Sequence, residues 1–127
     1  MHMNPIRTQL KAALKAAPLD AANQCTAEFC LSPEFIGFQG HFPGQPVLPG
    51  VCMICAVLVA AEDTLGMEIK MRAVKSAKFF SPVLPEQPVS MQLRFDSVPA
   101  PSEIRARLNR NGEKVAQITI GVIVTKD

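Results

Sequence analysis

Polar and apolar side chains alternate along much of the chain. Over residues 24–31, Cys25, Ala27, Phe29 and Leu31 interleave with Gln24, Thr26, Glu28 and Cys30. A period of two marks a half-buried strand. The pattern returns in the second half, where Val89, Met91, Leu93 and Phe95 alternate with Ser90, Gln92, Arg94 and Asp96. Ile104, Ala106 and Leu108 alternate with Arg105, Arg107 and Asn109, and Ala116, Ile118, Ile120, Val122 and Val124 form the apolar face of a last strand. Between these, Ile69, Met71 and Ala73 alternate with Lys70 and Arg72; the phase blurs at Val74 and resumes at Ala77 and Phe79. A long strand with a bend or bulge produces such a slip. Pro82 and Pro85 end it, residues 98–102 form a turn, and Asn111-Gly112 is a two-residue hairpin signal.

Two segments break the alternation. Residues 51–61 are apolar at every position, charge returns at Glu62 and Asp63, and Gly66 is a stop. A helix apolar all round is a buried helix, so a central helix is expected over residues 50–65. Its apolar run is too short to cross a bilayer, which takes about 20 residues. At the amino end, Asn4-Pro5 is a helix start. Ile6, Leu10, Leu14 and Ala17 recur at helical spacing up to Pro18, predicting a helix within residues 1–18. The elements fit an α+β architecture in which a curved antiparallel sheet wraps a long central helix, as a single domain over residues 1–127. A second subunit could pair edge strands or cover what one sheet cannot.

Composition narrows the function. The chain is 48% hydrophobic, carries a net charge of +2, and has no Trp or Tyr. Such a balance speaks against a nucleic-acid or membrane partner. No secretory signal is visible over residues 1–14, which makes the cytoplasm the expected compartment. Of the four cysteines, Cys52 and Cys55 form a CxxC at the start of the apolar helix. A redox pair or half a zinc site are the functional readings. Small buried hydrophobes are the favoured one, and no metal or cofactor is expected. Cys25 and Cys30, five positions apart, face opposite sides of a strand.

Residues 38–50 are neither helix nor regular strand. Pro43, Pro46 and Pro49 recur at intervals of three, and Gly40, Gly44 and Gly50 punctuate them. Prolines stiffen the chain and glycines allow tight turns, so this is a shaped loop. It carries His41, one of two histidines. A lone loop histidine is commonly structural, but this one directly precedes the start of the buried helix. There the first N–H groups, near Gly50 and Val51, have no partner within the helix. Such donors suit a developing oxyanion, such as a thioester enolate.

The run Gly40-His41-Phe42-Pro43-Gly44-Gln45-Pro46-Val47-Leu48-Pro49-Gly50-Val51 closely resembles the active-site motif of the hot-dog-fold 3-hydroxyacyl-[acyl carrier protein] dehydratases. Val74-Lys75-Ser76-Ala77-Lys78-Phe79-Phe80-Ser81-Pro82-Val83 resembles that family's strand ending in a basic-Phe-x-x-Pro-Val segment. The resemblance covers roughly residues 24–126 and implies a hot-dog fold, a homodimer or an oligomer of dimers, and acyl tunnels at the subunit interface. It implies phosphopantetheine-linked acyl chains on acyl carrier protein as ligands, and a lyase of fatty acid or related acyl-chain biosynthesis that dehydrates 3-hydroxyacyl to trans-2-enoyl chains. His41 then stands for the base that removes the C2 proton. Gly50 or Val51 supplies the backbone N–H to the thioester oxygen, and Phe38, Phe42, Pro43 and Pro49 line the substrate.

One position departs from that family. Fourteen residues after the histidine it places a Glu or Asp that protonates the departing hydroxyl, and here that position is Cys55. A thiol is a weak hydrogen-bond donor, and losing the acid is expected to cost on the order of 10²–10⁴ in rate. Two carboxylates are candidate replacements: Glu62, about 10 Å further along the helix axis, and Glu34, before the loop. The alternatives to a dehydratase are a non-catalytic subunit that binds acyl chains or carrier protein, and an acyl thioesterase. Lys70, Arg72, Lys75 and Lys78 form a basic run that could meet an acidic carrier protein or be a solvated strand face.

Overall fold

The alternating segments assemble into one antiparallel sheet. The structure, a computed structural model, describes residues 5–39, 44 and 46–125. Its elements are α1 (Pro5–Ala13), β1 (Leu14–Ala16), β2 (Gln24–Phe29), a 3₁₀ turn (Ile36–Phe38), α2 (Gly50–Leu65), β3 (Glu68–Phe79), β4 (Val89–Phe95), β5 (Glu103–Arg110) and β6 (Glu113–Thr125). The strand order is β1-β2-β4-β5-β6-β3. β4 buries Val89, Met91, Leu93 and Phe95 while Ser90, Gln92 and Arg94 face solvent, as the alternation demands. β5 and β6 bury Ile104, Leu108, Ile118 and Ile120 on the same side. The β5–β6 hairpin turns at Asn111 (φ 52°) and Gly112 (φ 80°), the pair of positive angles that a two-residue turn of this hand requires.

α2 lies against the apolar face of this sheet. Ala56, Val57, Val59, Ala60 and Ala61 are almost fully buried. Gly66, at φ 66°, closes the helix, its N–H donating to the Glu62 carbonyl at 2.8 Å. The helix is not buried all round. Val51 is 68% exposed, and Ile54 and Cys55 are half-buried. Positions 51, 54 and 55 share one helical face, so a stripe beginning at the helix start stays open. Among the described residues no helix is long and apolar enough to cross a membrane.

Two expectations change. The helix expected within residues 1–18 ends at Ala13, and Leu14–Ala16 instead pairs as β1 with β2, Leu14 opposite Phe29 and Ala16 opposite Ala27. Leu14 is buried either way; an apolar residue at that spacing satisfies a helix stripe and a strand face alike. The pairing with β2 decides between them, and the Ala17 N–H extends it to the Thr26 carbonyl at 2.8 Å. The second change is in β3. Its register slips between Met71 and Ala73 and again between Val74 and Ser76, as the broken phase predicts. Yet only Ile69 in it is buried, and both faces of the rest are open or half-open. β3 is an edge strand of 12 residues, bonded to β6 on one side and to nothing described on the other.

Candidate active site at the start of the central helix

The approach to α2 is anchored from two sides. The buried Leu48 donates its N–H to the Val83 carbonyl at 2.8 Å, tying the segment before the helix to the one after β3. Pro49 occupies the N-cap in extended geometry (φ −64°, ψ 148°), and its carbonyl accepts the N–H groups of Cys52 at 3.0 Å and Met53 at 3.3 Å. Among the described residues no side chain caps the start of the helix. The N–H groups of Gly50 and Val51 therefore have no acceptor among the described residues. N–H groups at the positive end of a 16-residue helix are donors suited to a carbonyl oxygen.

Phe79 fixes what residue 50 can be. A Cβ built on Gly50 would meet the Phe79 ring at 2.7–3.1 Å, so the ring lies directly on the glycine. Phe79 is itself 47% exposed, and with Val51 and Phe80 it leaves apolar surface beside the start of the helix. Phe80 in turn carries the Lys114 ammonium 5.6 Å from its ring centre.

Cys52 and Cys55 have different surroundings. Cys52 is buried beneath the 3₁₀ turn, where a Cβ on Gly37 would lie 2.8 Å from its sulfur. Desolvation, with a smaller push from Cys55, raises its thiol to about 11. Cys55 lies on the open stripe. Burial also raises its thiol, opposed by the charge and hydrogen bond of Arg7 and reinforced by Glu62. Both sulfurs are free, as are those of Cys25 and Cys30. Cys25 is buried, its thiol raised chiefly by desolvation, and accepts the Thr64 hydroxyl at 3.4 Å. Cys30 is exposed.

Arg7 is a site neighbour that the sequence does not advertise. From α1 it pairs with Glu62 while also reaching Cys55. The second Glu62 oxygen accepts the Ile69 N–H at 2.9 Å. Both oxygens of that carboxylate are thus engaged, and Glu62 braces α1, α2 and the start of β3 together. Glu34 sits exposed in a turn. Of the other sequence-derived site residues, Phe38 is buried against Phe35, ring centres 5.6 Å apart and nearly perpendicular. His41, Phe42 and Pro43 lie outside the described residues. No three His, Cys, Asp or Glu side chains among the described residues gather closely enough to hold a metal ion.

Comparison with known proteins bears on this arrangement. The ApeI-like family, described as ApeI dehydratase, matches residues 17–118. The chain is 33% identical over 95 residues to a 3-hydroxyacyl-[acyl-carrier-protein] dehydratase FabZ of Wolbachia sp. subsp. Drosophila simulans, covering 68% of this chain and 66% of that one. It is 32% identical over 95 residues to the FabZ of Clostridium acetobutylicum, covering 68% and 67%. The chain thus spans about two thirds of the length of these curated relatives. Among solved structures, the dehydratase heterocomplex ApeI:P from Xenorhabdus doucetiae superposes with a TM-score of 0.74 at 24% identity, over 86% of this chain and 94% of that one. That likeness is one of fold, and the fold is the hot-dog fold.

Proposed function

The chain belongs to the ApeI-like dehydratase family, and from that membership we propose that it binds 3-hydroxyacyl thioesters delivered by an acyl carrier protein and acts on them as a dehydratase-like lyase. The observation that carries the proposal is the start of α2, where two N–H groups free among the described residues stand beside open apolar surface and a half-buried Cys55. A thioester carbonyl hydrogen-bonded to Gly50 or Val51 is polarised, which acidifies its C2–H. His41 takes that proton; an imidazole titrating near 6.5 is suited to the task at neutral pH. The electrons return as the C2–C3 double bond while hydroxide leaves C3.

The last step is the weak one. At position 55 the departing hydroxide meets a thiol that keeps its proton but donates it poorly. Glu62 is held by Arg7 and the Ile69 N–H, which supports its reading as a brace rather than a replacement acid. Turnover is then slow by roughly 10²–10⁴ relative to a site with the carboxyl group. The same feature favours a second reading, a subunit that holds acyl chains or partners a catalytic subunit without doing chemistry.

A second copy of the chain belongs in the proposal. β3 leaves a 12-residue backbone edge unpaired among the described residues, with Met71, Val74, Phe79 and Phe80 all more than 40% exposed. A long unpaired edge with exposed apolar side chains invites strand pairing, and here it is interleaved with Lys70, Arg72, Lys75 and Lys78. The open stripe of Val51, Ile54 and Cys55 is surface that the same partner would cover.

The test is incubation with 3-hydroxyacyl carrier protein, following enoyl formation, free-thiol release and retention of the loaded carrier. Slow enoyl formation abolished by His41→Ala supports the lyase. Retention without turnover supports the binding subunit, and thiol release would indicate a thioesterase. Absence of all three overturns the proposal.

A further inference from the structure

The solvent face of the sheet carries a basic groove that the acyl reading does not use. A cavity of about 320 Å³ is lined there by Arg94, Arg105, Arg107, Gln92, Gln117 and Thr119, together with Gln24. The register explains the grouping. Arg94 on β4 stands directly opposite Arg105 on β5, and one rung along, Gln92 stands opposite Arg107, which faces Gln117 on β6. Like charges directly opposite across a strand pair repel. Only Arg105 finds an acid, Glu103, which it shares with Lys75. Lys75 reaches that carboxylate past Gly121, whose missing side chain leaves room for the lysine stem. Arg94 and Arg107 make no ion pair among the described residues. Glu28, also on this face, lies opposite Lys15 of β1. The groove therefore gathers three guanidinium groups with no acid among its lining residues.

We propose that this groove is a binding site for a small phosphate-bearing ligand. The guanidinium fork matches phosphate oxygens two at a time. An anion beside Arg94 and Arg107, the two guanidinium groups without an ion pair among the described residues, supplies the counter-charge they lack; Arg105, already paired with Glu103, the side-chain amides of Gln92 and Gln117 and the Thr119 hydroxyl add donors around it. The cavity is at the lower end of the size range of small-molecule sites, about 300–1,000 Å³. Its residues lie on the face of the sheet opposite α2, so this site is separate from the start of that helix.

The test is calorimetric titration of the full chain with pyrophosphate at fixed ionic strength. Saturable binding is expected, weakened at least tenfold by Arg94→Gln with Arg107→Gln. Arg72→Gln, a control on β3, should leave it unchanged. Both exposed substitutions should leave the melting temperature within a few degrees of the parent. No saturable pyrophosphate binding, or binding that the double substitution does not weaken, overturns the proposal. Retention of an acidic protein by the parent but not the double variant, with pyrophosphate ignored by both, also overturns it and makes the face a protein-docking surface.

Discussion

Cys55→Glu is the natural repair of the proposed site, and the structure says that it will work only in part. The new carboxyl would enter a half-buried position beside the Arg7 guanidinium. Desolvation favours its protonated form, which the departing hydroxide needs. A guanidinium within about 4–6 Å favours the ionised form and lowers a carboxyl by roughly 1–3 pH units. Arg7 thus reduces the protonated fraction at neutral pH by about 10- to 1,000-fold relative to the same carboxyl without it. A well-placed acid contributes on the order of 10²–10⁴ in rate, so the pairing can consume most of the gain. Replacing Arg7 as well, as in Cys55→Glu with Arg7→Met, removes the cation and leaves the Glu62 charge to push the new acid upward. Enoyl formation from a 3-hydroxyacyl thioester, measured from pH 5 to 9, reads the outcome. The single variant should exceed the parent modestly and lose activity on its alkaline limb early. The double variant should exceed the single, with that limb displaced to higher pH by about 1 unit or more. Superimposable pH profiles for the two variants would refute the electrostatic role given to Arg7, and Arg7→Met alone controls for lost stability.

Other parts of the fold make separate predictions. Glu62→Ala breaks the Arg7 pair and strips the Ile69 N–H of its acceptor, so chemical denaturation should show a loss of about 1–3 kcal/mol. Acid should act on the β4–β5 turn through Asp96. Desolvation is the largest single influence on that carboxyl and works upward, but hydrogen bonds from the Ser102 hydroxyl and from the Glu103, Ser102 and Ser97 N–H groups together hold it below the usual range. A group depressed in the folded state contributes stability above its unfolded value, near 3.9, and loses it as pH falls through the lower folded value. Stability measured from pH 6 to 2 should therefore fall less steeply in Asp96→Ala than in the parent. Iodoacetamide at pH 8 should label exposed Cys30 first and spare Cys52, which is buried with a thiol raised to about 11, until the chain unfolds.

The strands of the sheet were legible because burial on one face forces a period of two; β4 and β5 obey it throughout, and β6 does from Ala116 to Ile120, while Val115 beside it is buried as well. The hairpin at Asn111-Gly112 was legible because few residues tolerate two positive φ angles in a row. The end of α1 was not. Leu10 and Leu14 satisfy a helix stripe, and only the pairing of Leu14 with Phe29, 15 residues away, makes residue 14 a strand. The unbroken apolar run of α2 pointed to full burial, because sequence does not distinguish a side chain covered by its own chain from one left open, as Val51 is. Arg7 carried no visible signal: its partner Glu62 is 55 positions away and its other neighbour, Cys55, is a residue that rarely advertises a polar contact. The CxxC readings turn on surroundings that sequence cannot supply, since Cys52 faces the buried Gly37 of the 3₁₀ turn and Cys55 faces Arg7.

The amides of Gly50 and Val51 can be watched directly. In an ¹⁵N–¹H spectrum titrated with a stable 3-hydroxyacyl-pantetheine analogue, the signal of Gly50 or of Val51 should shift downfield saturably as that N–H takes up the carbonyl oxygen. Saturable binding of the analogue that leaves both amides where they were would contradict an oxyanion site at the start of α2.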